Sequence, residues 1–111
     1  MAIDGVYLGY MTGSAGTTLG IFHIANGVLA GGDIGGGVYD GKFRLEDNCA
    51  VGELEFRAPN GGHLVSGGQI DFEIKLKSAF SFTLPIEKEP YHTVQSSVGK
   101  INIRFEKVRD L

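Results

Sequence analysis

The side chains in this 111-residue chain that could do chemistry are three histidines, one cysteine and a scatter of carboxylates. His23, His63 and His92 stand far apart, and none has a second His or Cys at the short spacing of a metal-ligand pair. No metal site is expected. His23, between Phe22 and Ile24, reads as a hydrogen-bonded structural histidine on a strand. His63 and His92 fall in stretches read as loops and are expected in water. Cys49 has neither a neighbouring histidine nor a cation to activate it, and reads as a small half-buried residue. Ser66 lacks the Gly-x-Ser-x-Gly frame of a nucleophile elbow. Residues 36–42 (GGVYDGK) match most of a phosphate-cradling Gly-x-x-x-x-Gly-Lys loop. Phe43, however, stands where Mg²⁺ binding needs Ser or Thr, and the stretch leads into an alternating strand rather than a phosphate-holding helix. The residues propose no catalytic group and no cofactor.

The carboxylates separate into two kinds. Glu53 and Glu55 share one face of a strand, and Arg57 continues the row, which is the pattern of a solvated charged face. Glu46 and Asp47 precede Asn48 at a turn tip, where such residues serve local hydrogen bonding. The same pair also makes an acidic knob for a basic partner, since complementary charge guides encounter and specificity. Glu46 and Asp47 are therefore the candidate partner-binding residues.

The stretch 26–45 (NGVLAGGDIGGGVYDGKFRL) organises the elements that hold these groups. Asn26-Gly27 is a preferred type I′ hairpin pair, because both central residues need positive φ. Five of the seven residues 31–37 are glycine, which predicts a corner where the backbone bends, bulges or meets another strand closely. Strands are predicted over 6–10, 19–25, 28–30, 38–45, 51–57, 69–77, 80–86 and 100–108. The clearest is QIDFEIKLK (69–77), with Ile70, Phe72, Ile74 and Leu76 inward and charged or amide side chains outward. Phe80 and Phe82 continue the inward alternation, and Pro85 belongs at an edge or strand end. Residues 87–99 show no clean period and read as a loop or one short helical turn.

Eight strand candidates, short connections and no helix predict an all-β fold in antiparallel meander order. Closure removes exposed edges, so an eight-stranded up-and-down barrel is favoured over a sandwich. A barrel of that size either fills with side chains or holds one small ligand. The second case gives an alternative reading as a hydrophobic-ligand carrier, lined from among Ile70, Phe72, Ile74, Leu76, Phe80 and Phe82.

Glycine is abundant, 18 of 111, without a three-residue period, which suits many turns and excludes collagen. A net charge of −3 gives no counterion-release affinity for phosphate backbones, so direct nucleic-acid binding is not expected. The opening MAIDGVYLGY lacks a basic region and meets Asp4 at once, unlike a secretory signal. No apolar run reaches the roughly 20 residues of a membrane-spanning helix. A lone cysteine suits a reducing compartment. One soluble, cytoplasmic domain over 1–111 is the expectation.

Asp4-Gly5-Val6-Tyr7, Asn26-Gly27, Gly31-Gly32-Asp33-Ile34 and Tyr39-Asp40-Gly41, taken in order, resemble the GrlR-type negative regulators of type III secretion. The likeness covers about the first half of the chain; the second half agrees in its run of strands. It implies a lipocalin-like barrel with an apolar interior, acting as a homodimer. It also implies regulation by sequestering a basic transcriptional activator without touching DNA. In that family four acidic residues on a surface loop carry partner binding; the matching positions here are Glu46 and Asp47, followed by Asn48 and Cys49.

Overall fold

Alternation drives the chain into strands from its start. The computed structural model describes residues 3–14, 16–58, 62–63, 69–70, 74–97 and 99–111, with backbone alone at 62–63, 69–70 and 74. In β1 (Gly5–Gly13), Gly5, Tyr7, Gly9 and Met11 are buried, while Val6, Leu8 and Tyr10 lie half-exposed on the other face. β2 (Gly16–Ala25) runs back beside it with Phe22 and Ile24 inward. Asn26 and Gly27 then turn the chain with φ of 52° and 78°, both positive as predicted, and β3 (Val28–Asp33) returns with Val28 opposite Ala25.

The glycine-rich corner is shorter than its composition suggests. Gly31 and Gly32 belong to β3, and only residues 34–37 bend before β4 (Val38–Glu46) begins. β5 (Cys49–Ala58) follows after a tight turn, with Glu46 opposite Cys49. β6 (Gly62–His63) and β7 (Gln69–Ile70) pair antiparallel in a small separate sheet. β8 (Ile74–Thr83) rejoins the main sheet along β5. A 3-10 turn (Ile86–Lys88), β9 (His92–Ser96) and β10 (Gly99–Asp110) complete the described chain.

Eight of these strands make one antiparallel sheet in the order β8-β5-β4-β3-β2-β1-β10-β9. The sheet is up-and-down and curls until β8 and β9 lie side by side at a seam, giving the predicted nearly closed barrel. β1 is hydrogen-bonded on both flanks, to β2 and to β10.

Two strand predictions are corrected. Stretches 69–77 and 80–86 were expected as two strands, but Ser78 does not break the ladder: it pairs with Leu54, and β8 runs through it unbroken to Thr83. Residues 92–96, expected in a loop or helical turn, are a strand paired to β10 from His92 opposite Ile103 to Ser96 opposite Gly99. Phe72 and Ser66 lie outside the described residues.

Among the described residues the core is built on aromatic rings meeting mostly edge to face. Phe105 is the hub, with ring centroids 6.0 Å from Tyr7, 5.8 Å from Phe22 and 5.4 Å from Phe82. The chain of rings continues from Phe22 to Tyr39 at 5.2 Å and on to Phe56 at 5.0 Å. Such pairs add roughly 0.5–1.5 kcal/mol each beyond the area they bury. Glycine makes the arrangement possible. A Cβ on Gly31 would collide with the Phe22 ring, at 2.6 Å from Cδ1, and with the Ile21 carbonyl; one on Gly37 would stand 2.5 Å from Cε1 of Phe56.

Candidate functional site

The barrel has two differently built ends. At one end, Asp33 organises the corner that the glycines allow. Its Oδ1 accepts the N–H groups of Gly35 and Gly37, each at 2.9 Å, and its Oδ2 accepts the Tyr39 hydroxyl at 2.7 Å. Burial first, then this bond and the carboxylate's charge, push the Tyr39 hydroxyl far above its usual range. Every contact here is internal, so the corner is a structural lock.

The other end collects the turns that follow β2 and β4, the segment after β8, and the start of β1. Here Asn48 is a clamp. Its Nδ2 donates to the Leu84 carbonyl at 3.1 Å, and the Leu84 N–H donates to the Asn48 carbonyl at 2.9 Å. The clamp ties the β4–β5 turn to the chain leaving β8. Leu84-Pro85 is a cis peptide, and Pro85 sits just past the strand end, where a residue without an N–H is tolerated. Ile86 then turns inward and is almost wholly buried. His92 holds it there, its Nε2–H donating to the Ile86 carbonyl at 2.9 Å while the imidazole lies 4.9 Å from the Phe82 ring. Across the end, the buried Tyr7 hydroxyl donates to the Ile3 carbonyl at 2.5 Å.

These bonds frame a pocket of about 180 Å³, open to solvent, lined by Ile3, Tyr7, Asn48, Leu84, Pro85, Ile86 and Glu87. Burial raises the Tyr7 pKa, and Lys107 beside it opposes that shift. Lys107 lies over the Tyr7 ring, 5.5 Å from its centroid, and donates to Asp110 at 2.8 Å. A bulge at this point leaves Val108 outside the β1–β10 register and exposed. A broader surface groove of about 460 Å³ crosses β4, β5 and β8, with Lys42, Arg44 and Glu53 in its lining.

The predicted partner-binding pair sits beside the pocket but is not uniform. Glu46 is exposed yet tied to Arg44, whose Nε and guanidinium nitrogen both reach Oε2 at 2.9 Å. Asp47 is at the tip with φ of 55°, exposed, and directly precedes the pocket residue Asn48. The outward row of β5 carries an ion pair, with Arg57 Nε 3.6 Å from Glu55 Oε1, while Glu53 is exposed.

Of the candidate interior lining, Phe80 and Phe82 are inward and buried, and their rings stack on each other at 4.6 Å. Leu76 is half-buried and packs against Ala58. The side chains of Ile70 and Ile74, and all of Phe72, lie outside the described residues, as does the His63 side chain.

Two histidine expectations are corrected. His23 is on β2 but faces outward and is exposed, because strand alternation sends it opposite to Phe22 and Ile24. His92 is not in water: it is buried at 6% exposure, at the first position of β9. The loop reading of residues 87–99 hid His92 as a core residue, and with it the closing segment. The signal was the short alternation of His92 and Val94 against Thr93 and Gln95, weakened by Pro90 just before it. Cys49 is half-buried, as expected. Among the described residues no three His, Cys, Asp or Glu side chains group as metal ligands, and no helix is long and apolar enough to cross a membrane.

No family model, curated protein or solved structure was found to match this chain.

Proposed function

We propose that this chain is a cytoplasmic regulatory barrel that acts by binding a basic protein partner, a transcriptional activator in the manner of the GrlR-type regulators it resembles, and not by catalysis. The observation that carries this reading is the build of the β4–β5 turn. Asp47 stands exposed at its tip, and the turn beneath is fixed by the two-way hydrogen bonding of Asn48 and Leu84. A charge held on a stiff support loses little freedom on binding. The rings around Phe105 also support it, since among the described residues they are spent on one another rather than on a ligand. On the outer wall Leu8 faces Ile21 across β1 and β2, and Ile21 is 54% exposed. A homodimer is part of the proposal, as the resemblance implies.

The test is capture of the native partner from cell extract by wild-type protein and by a Glu46→Gln, Asp47→Asn double variant. Asparagine accepts the positive φ at position 47, so the charge is removed with the turn kept. Capture should weaken in the double variant, and the loss should be largest at low salt. Equal capture by both proteins rules out the pair as the contact.

A further inference from the structure

We infer that the pocket at the Asn48 end of the barrel is the seat for one large apolar side chain of the partner, carried in a basic segment. This rests on the protein-binding reading above and names the chemistry of the bound segment. Size is the first argument. An apolar cavity of about 150 Å³ takes a benzene ring, whereas small-molecule sites run to about 300–1,000 Å³. The pocket here, about 180 Å³, matches one phenylalanine or leucine side chain and falls short of a drug-sized or lipid ligand.

Chemistry and stiffness agree with that occupant. An apolar lining comes from Leu84 and Pro85, which solvent reaches, and from Ile3 and Ile86, which are buried. Three polar groups among them are already engaged: the Tyr7 hydroxyl with Ile3, the Asn48 Nδ2 with Leu84, and the Ile86 carbonyl with His92. Apart from Asn48 and Glu87, the lining therefore offers surface rather than hydrogen bonds, in a shape braced by these three bonds. Well-packed pockets that receive an aromatic or aliphatic anchor carry most of the energy of protein interfaces. Charge selects the flanks of the anchor. Glu87 is an exposed carboxylate in the lining, Asp47 is an exposed carboxylate directly preceding the lining residue Asn48, and Lys107, the cation beside Tyr7, is paired with Asp110. A segment with Lys or Arg beside its apolar residue complements them.

The experiment uses the full chain and acetylated peptides Lys-Arg-Phe-Arg-Lys, Lys-Arg-Ala-Arg-Lys and Glu-Glu-Phe-Glu-Glu, followed by NMR titration. The first peptide should bind and shift the resonances of Ile3, Leu84 and Ile86; the second and third should each bind about tenfold more weakly or worse. Ile3→Trp, which fills the pocket, should abolish binding of the first peptide. Glu87→Lys, which reverses the charge of an exposed lining residue and leaves Ile3, Leu84 and Ile86 in place, should weaken it about tenfold. Equal binding of the phenylalanine and alanine peptides, shifts confined to another surface, or no binding overturns the inference. Native-partner capture separates this from the parent reading. Loss in the Glu46→Gln, Asp47→Asn variant with full capture by folded Ile3→Trp sinks the pocket alone; full capture by both sinks the parent reading too.

Discussion

Phe22 lies across Gly9 so closely that a methyl group on the glycine would stand 2.5 Å from the ring's Cε2. The ring occupies the space a side chain on β1 would need, and a neighbouring glycine on β3 admits its other edge. Missing side chains and a large one are thus parts of a single packing solution.

Gly9→Ala forces the buried ring to move and should destabilise the barrel by about 1–3 kcal/mol. Gly31→Ala should cost more, because its methyl also meets the Ile21 carbonyl, and backbone cannot rotate away as a side chain can. Urea unfolding of the two variants, compared at equal slope, checks the order. Adding Phe22→Leu to Gly9→Ala should recover part of the Gly9→Ala loss.

His92→Leu keeps the apolar contacts with Phe82 and Phe105 but leaves the Ile86 carbonyl without its donor. An unsatisfied buried group of this kind costs about 1–3 kcal/mol. The strands should persist by circular dichroism while amide exchange accelerates around residues 86–88. Unchanged exchange there would mean that the bond does not hold the segment.

Tyr39 and Tyr7 set the alkaline limit. Both hydroxyls have raised pKa values in the folded protein, chiefly by burial, from an ordinary value of 10.0. The unfolded chain therefore loses these protons first as pH climbs. Their contribution is fully present below about pH 10 and is lost progressively above it. Tyr39→Phe should flatten the fall in stability above pH 10, at the expense of the bond to Asp33 near neutrality. Chemical unfolding at a series of pH values tests this.

The Asp47 turn separates charge from conformation. Asp47→Gly relieves a left-handed residue with φ of 55° and should leave stability unchanged or raise it by up to about 1 kcal/mol. Asp47→Val should lower it by about 1–2 kcal/mol, since a β-branched residue resists that region. Glu46→Gln removes an exposed pair with Arg44 and should change stability by less than about 1 kcal/mol. Thermal melts of the three variants give the ranking.

The wall of the barrel was readable where one face is greasy and the other wet, as in Tyr39 and Gly41 against Asp40 and Lys42. The Asn26-Gly27 turn was readable because few residue pairs accept positive φ in succession. Three features escaped for physical reasons. Ser78 looked like a break, yet a small polar residue costs a strand little when its backbone stays in the ladder opposite Leu54. His92 to Ser96 is short and mostly polar, and its pairing comes from β10 rather than from its own pattern. The end pocket depends on Asn48 meeting Leu84 and on His92 reaching Ile86, partners that no local spacing reveals. Glu46 and Asp47 were visible as an acidic pair, but the capture of Glu46 by Arg44 needed coordinates.

The pairing of β1 with β10 sets Tyr10 opposite Arg104 and Leu8 opposite Glu106, joining two segments nearly the whole chain apart. Such distant contacts form slowly, because the intervening chain must first surrender its freedom. During translation, β1 has β2 as a neighbour early, but its other flank waits for residues 99–110 to leave the ribosome. Until then the nascent wall presents a bare strand edge, and the interval is when a chaperone or a second nascent copy would find it.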